Sequence, residues 1–383
     1  MTEKLYYSEP YCRTFSARVL SCEEEKKGFA VVLDRTAFSP EGGGQPCDLG
    51  NLNGIPVTEV HERQGDIVHL CAQPIAAGEA VSGTIDWQRR FDNMQNHSGE
   101  HVVSGFVHQK YGYDNVGFHM GSDFITIDFN GMIDEAGLRE IERRANETVW
   151  QDIPLEIRWP SPEELKTLPF RSKKELTGPV RIVSVPGVDL CACCGTHVSR
   201  TGEIGVIQLF SCVKFHSGVR IEMLCGRRCL EYLEKLREQN HGVSVRLSAK
   251  PLETAAAVER LNAAAEQYKL RISGLESRVF AAAAEKYAGQ GKVILFEDKM
   301  EADSLRKLCD VLSASCGGNC YVFAGSDAEG WKYCLASPDE DLRPLCKELN
   351  GAFSGRGGGK PGNVQGSLTG TERELRAFLT SRT

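Results

Sequence analysis

The chain has 383 residues, 41% hydrophobic and 25% charged, the composition of a globular protein with room for two or three domains. Its formal net charge of −7 argues against indiscriminate nucleic-acid binding, though a local basic face is compatible with it. The opening MTEKLYYSEPYCRTF lacks the basic-then-apolar order of a secretory leader, and no apolar run reaches the length of a membrane span. A cytoplasmic protein with no membrane partner is therefore expected, and its fifteen cysteines are expected as thiols or metal ligands rather than a disulfide framework.

Along residues 1–90, short β-like runs such as "FAVVLDRTAF", "NLNGIPVTEVHE" and "AVSGTIDW" alternate with Gly, Pro and Asn, predicting a β-rich, barrel-like domain. Residues 91–235 mix the two periodicities. "FDNMQNHSGEHVVSGFVHQKYG" reads as a helix, "FITIDFNG" as a strand, "DEAGLREIERRANETVWQD" as an amphipathic helix and "EIGVIQLFSCVKFHSGVRIEML" as a hairpin. Residues 236–290 form a helical arm, in which Val258, Leu261, Ala265, Tyr268, Ile272, Leu275 and Val279 recur at steps of three and four. This a/d register suits either a hairpin packed on its own chain or pairing of two chains into a homodimer. Residues 291–383 carry buried strands in "KVILFED", "CYVFAG" and "WKYCLAS", flanking helices and the Gly-rich "FSGRGGGKPGNVQGS", a separate α/β domain. The fold class expected is α+β.

Within the first helix, His97-Ser98-Gly99-Glu100-His101 fits H-x-x-E-H. Two His four apart project from one helix face, as two ligands of one metal must. A metallopeptidase would add a carboxylate from a later helix, for which "LREIERRANE" is available, with Glu100 as general base. That reading leaves "VDLCACCGTHVSRTGEIG" unexplained, where Cys193 and His197 also stand four apart. His97, His101, Cys193 and His197 make a tetrahedral set whose softness favours one zinc per chain, with Cys191 and Cys194 as competing thiols. Basic residues in "RSKKE" (171–175), with Arg220, Arg227 and Arg228, offer charge for phosphates, although each such run also suits a solvated face.

"HSGEH" and "CCGTH" resemble the H-x-x-x-H and C-x-x-x-H zinc motifs of alanyl-tRNA synthetase editing domains. "TAFSPEGGGQPCDLG" resembles their Gly-rich loop, "VGFHMGSDFITIDF" their pocket strand, and "SGRGGGKPGNVQGS" the synthetase C-terminal (DHHA1-like) signature. With no class II aminoacylation motifs evident, the chain resembles the long form of the AlaX family of alanyl-tRNA editing proteins. The threonyl-tRNA synthetase editing domain shares only the two zinc motifs. CCGTH departs from the commoner CGGTH at Cys194. The resemblance implies zinc-dependent deacylation of mischarged tRNA(Ala), the seryl ester above all and the glycyl ester also. It implies a pocket role for Thr36, whose hydroxyl would hydrogen-bond a seryl side chain, and a substrate contact for Gln45. Gly42, Gly43 and Gly44 would let backbone approach the ligand, Glu100 or His119 would orient water, and Arg356 and Lys360 would meet tRNA. A non-catalytic tRNA-binding module with structural zinc is the competing expectation.

Overall fold

The computed structural model describes residues 1–172 and 178–381, which divide into two compact units, Met1–Gly242 and Val243–Thr383. In the first unit, β1 (Thr14–Glu25), β2 (Gly28–Leu33), β3 (Gly50–Leu52), β4 (Ile55–Arg63), β5 (Asp66–Cys71) and β6 (Ala80–Ile85) close a barrel in the order β1-β2-β5-β4-β3-β6. Alternation in β1, with Phe15, Ala17 and Val19 inward between exposed neighbours, is the period-2 pattern of a half-buried strand. Those side chains join Val31, Leu33, Val60 and Ile67 in one core.

Helix α1 (Trp87–Tyr111) follows directly, capped by the Asp86 carboxylate, which accepts from Arg89 N, and ended by Gly112 in the left-handed region. It is buried almost all round from Asn93 to Val107, including its polar residues. Only a helix that carries a site, or is pinned by ion pairs, keeps so many polar groups from water. One such pin is Arg90, which with Asp48 is wholly buried; it also donates to the carbonyls of Pro10 and Ala37.

A four-stranded antiparallel sheet of β7 (Asn115–Met120), β8 (Ile125–Phe129), β12 (Ile207–Phe215) and β13 (Gly218–Cys225), ordered β12-β13-β8-β7, packs with α1 and α2 (Glu135–Gln151) around a second core. Between α2 and that hairpin, β9 (Glu156–Arg158), β10 (Ile182–Val185) and β11 (Asp189–Ala192) form a small antiparallel sheet. Helix α3 (Gly226–Arg246) begins in this unit and ends past Gly242, in the second.

The second unit continues with α4 (Thr254–Lys286), whose Ala257, Phe280 and Ala284 are buried while the heptad positions Val258, Leu261, Tyr268, Ile272, Leu275 and Val279 are all exposed. Its sheet of β14 (Val293–Glu297), β15 (Cys320–Ser326), β16 (Gly330–Ala336), β17 (Arg356–Lys360) and β18 (Asn363–Leu368) runs β14-β15-β16-β18-β17. Helix α5 (Ala302–Cys316) joins Cys320, Val322 and Ala324 on one face; α6 (Arg343–Ala352) and α7 (Glu372–Thr380) join Tyr321 and Phe323 on the other. The Gly-rich "RGGGK" is an edge strand rather than an open loop. Its glycines are needed because a Cβ at Gly357 would lie 2.2 Å from Tyr333 Oη.

Candidate metal centre

Helix α1 places His97 and His101 one turn apart, and the loop leaving β11 brings Cys193 and His197 against them; the four ligand atoms lie within 4.8 Å of one another. His97 Nε2 and His197 Nε2 each stand 3.4 Å from Cys193 Sγ. Ligands at about 2.0 Å (nitrogen) and 2.3 Å (sulfur) on one tetrahedral zinc would be about 3.5 Å apart, so the separation fits a shared ion. Gly195 is what lets the loop come so close, since a Cβ there would lie 2.2 Å from His97 Cε1.

Each imidazole has its other nitrogen engaged. His97 Nδ1 donates to Gln45 Oε1 at 2.7 Å, His101 Nδ1 to Asp189 Oδ2 at 2.8 Å, and His197 Nδ1 to Ser98 Oγ at 3.3 Å. All three Nε2 atoms therefore face the cluster, the arrangement that fixes tautomer and ring orientation at metal sites. Burial by itself raises the Cys193 thiol, but His97, His197 and His101 hold it well below the ordinary range. Burial pushes His197 down to about 3, which leaves it neutral. A thiolate and neutral imidazole are the metal-binding forms.

A second grouping, His101, Asp189 and Cys191, overlaps the first. Its chemistry fits less well: Asp189 is committed to His101 and, through both oxygens, to Arg171, while burial pushes Cys191 up to about 11. Cys194 is exposed. A hollow of about 440 Å³ opens over the cluster, lined by Gly43, Gly44, Val116, Phe118, Cys194 and the ligands His97, His101 and Cys193. A larger one of about 570 Å³ on the barrel is lined by paired charges such as Lys27–Glu59 and Arg63–Glu25, with no convergent ligands.

Gln45, buried at 3% exposure, joins the glycine loop to the ligand loop: its Nε2 donates to Thr196 Oγ1, and its Oε1 accepts from Thr196 N as well as from His97. Gly42 pairs with Gln45 through the backbone, and Gly44 lies against Phe118, whose carbonyl oxygen would be 2.3 Å from a Cβ. Glu100 is buried beneath the cluster. Its Oε1 accepts from Ser104 Oγ at 2.6 Å and from Asn115 Nδ2, and its Oε2 lies 4.0 Å from His101 Nε2.

Thr36 and His119, expected at the site, stand away from this hollow. Thr36 is fully buried in the barrel, where its hydroxyl donates to His69 Nε2 at 2.8 Å and accepts from Phe38 N at 3.1 Å. His69 Nδ1 donates in turn to Val31 O, so the Thr36 hydroxyl proton is committed to His69 Nε2. His119 is exposed on β7, and strand alternation turns it away from Phe118.

The expected phosphate-binding arginines are also engaged otherwise. Arg171 holds Asp189, Arg220 holds Asp128 bidentately, Arg227 pairs with Asp92 and Glu231, and Arg228 donates to the carbonyls of Gly121 and Ser122. Lys173, Lys174 and Glu175 of the same basic run lie outside the described residues. Arg356 and Lys360 are exposed on β17 and carry no ion pair among the described residues. Sequence reasoning missed Ser98, Asp189, Thr196 and Arg171 as supports; for Ser98, Asp189 and Thr196 nearness to the ligand motifs was the available signal, and for Arg171 there was none.

Residues 180–222 match the threonyl and alanyl tRNA synthetase second additional domain. The alanyl-tRNA editing protein AlaX-L of Pyrococcus horikoshii is 29% identical, aligned over 98% of this chain and 96% of its own. The alanyl-tRNA editing protein Aarsd1 of Danio rerio is 26% identical over 97% and 96%. Alanine–tRNA ligase of Pyrococcus abyssi is 31% identical over 98% of this chain but 43% of its own length. The domain match and the cluster coincide in part, since Cys193 and His197 fall within the matched residues. Along nearly its whole length the chain is similar to alanyl-tRNA editing proteins, AlaX-L and Aarsd1 among them.

Proposed function

We propose that the chain is a trans-acting deacylase that hydrolyses the ester of a wrongly charged tRNA(Ala), chiefly the seryl ester and also the glycyl ester. The observation that carries this reading is the convergence of His97, His101, Cys193 and His197 beneath a hollow walled by the glycine loop and Phe118. A synthetase pocket for alanine discriminates poorly against glycine, one methyl smaller, or serine, one hydroxyl larger. A second site that destroys the wrong product is the physical remedy.

His97, His101, Cys193 and His197 would hold one zinc ion, which supplies Lewis-acid polarisation of an ester carbonyl or a water. Gln45, Asp189 and Ser98 orient the imidazoles. Phe118 and the glycine loop limit the volume open to the acyl group and to bulk water. Glu100, with one carboxylate oxygen 4.0 Å from His101 Nε2, is the group we assign to take a proton from the attacking water. The metallopeptidase reading required a carboxylate third ligand, whereas the neighbours of His97 and His101 are Cys193 and His197.

The test is deacylation of Ser-, Gly- and Ala-tRNA(Ala) by zinc-loaded protein. Loss of the seryl ester with the alanyl ester spared is expected; binding of tRNA without hydrolysis of any ester would favour a non-catalytic module. For the partner of α4, the reading is a second copy of the chain, because its uncovered heptad stripe is self-complementary in residue type and spacing.

A further inference from the structure

An ester on the last ribose of a tRNA carries that nucleotide's base with it, so admitting the acyl group to the hollow leaves an unpaired base at the rim. Unpaired bases are held by aromatic faces, since stacking needs no complementary strand. Cys194 lines the rim of the hollow and is exposed. Trp159 meets the Tyr7 ring edge-on, centroids 5.6 Å apart, yet remains 50% exposed. Trp150 is more exposed, at 74%, but makes no ring contact among the described residues, so exposure alone does not single out Trp159.

Beneath this pair lies Arg181, a buried cation with no carboxylate partner among the described residues. Its guanidinium sits 5.0 Å from the Tyr7 ring centroid, and its Nη1 donates to the carbonyls of Cys193 and Gly195 at 2.8 and 2.9 Å. Its Nε is buried without a hydrogen-bond partner among the described residues. One arginine thus ties the ligand-bearing loop to the aromatic pair, its guanidinium lying under the Tyr7 ring.

Resting on the deacylase reading, we propose that Trp159, backed by Tyr7 and Arg181, is the platform on which the unpaired terminal adenine of the charged tRNA stacks while its ester occupies the hollow. Tyr7 holds the indole in place, and Arg181 keeps platform and ligand loop at a fixed separation. The effect is to select esters borne on a nucleotide over free amino-acid esters.

The experiment is steady-state deacylation of seryl-tRNA(Ala) by the full chain loaded with zinc, comparing wild type with Trp159→Ala and Trp159→Phe. Loss of one stacked base predicts a rise in KM of about 5- to 150-fold for Trp159→Ala, with kcat changed far less. Trp159→Phe should restore most of the loss. The preference for the tRNA ester over a base-free seryl ester should fall by the same factor. An unchanged KM in a zinc-loaded Trp159→Ala protein that still deacylates overturns the platform and leaves the deacylase standing. A fall confined to kcat also overturns it, pointing to a structural role. A wild-type protein that hydrolyses no seryl-tRNA overturns both.

Discussion

Gln45 shows how one neutral side chain sets the chemistry of a neighbour. By accepting the Nδ1 proton of His97 it leaves the Nε2 lone pair facing Cys193, and by bonding Thr196 it fixes the loop that carries His197. Gln45→Ala should weaken zinc binding about 10- to 100-fold, as loss of a supporting hydrogen bond does at metal sites; competition with a chromogenic chelator measures it, and wild-type affinity would remove Gln45 from this role. Thr36 does its work elsewhere. Thr36→Val strips partners from His69 Nε2 and Phe38 N, both buried, so a stability loss of about 1–3 kcal/mol is expected with seryl-over-alanyl selectivity intact. Altered selectivity at equal fold would place the hydroxyl in the pocket after all. His69 also makes stability depend on pH. Burial pushes it down to about 4, against 6.5 in an exposed chain. Below 6.5 the unfolded chain takes up a proton that the folded protein refuses. Its contribution is complete above 6.5 and is lost as pH falls from 6.5 towards 4, about 3 kcal/mol in all. Urea melts of wild type and His69→Gln across that window check it: the variant should lack this part of the slope.

At the scale of elements, α1 is the post on which the first unit is built. It takes two ligands from one face and is pinned to the barrel by the Arg90–Asp48 pair, where both side chains are fully buried. Removing one partner leaves an uncompensated charge, so Asp48→Asn should destabilise the protein by about 3–5 kcal/mol. The loop after β11 depends on this placement, since Gly195 packs directly on His97. A chemical melt of Asp48→Asn that matched wild type would show that the pair is not what pins α1. The glycine-rich C-terminal stretch illustrates the reverse: close approach of Tyr333 and the neighbouring strand makes it an edge strand.

For the whole molecule, the covered and uncovered faces of α4 carry the prediction. Phe280 packs into the second unit's core with Ala283 against it, while Ile272 and Leu275 are more than half exposed. If the stripe pairs two copies, Ile272→Lys with Leu275→Lys should turn a dimer into a folded monomer by sedimentation velocity. A wild-type monomer at tens of micromolar would remove the pairing. No helix among the described residues is long and apolar enough to cross a membrane.

Several features were legible in the chain alone because they depend on neighbours a few residues apart. The i, i+4 spacing of His97 and His101, the matching spacing of Cys193 and His197, the period-2 strands and the heptads of α4 are all local patterns. What only the tertiary structure decided is which distant groups meet. That Gln45 supports His97, that Asp189 is shared between His101 and Arg171, and that Asp48 lies under Arg90 follow from packing across 18 to 88 residues of chain. The same holds for what was misplaced. Thr36 turns into the barrel because a buried imidazole must be hydrogen-bonded, and Arg220, Arg227 and Arg228 meet acids or carbonyls that sequence separation hides. Periodicity tells which face of an element is apolar; only the closed fold tells what each polar group on the other face will find.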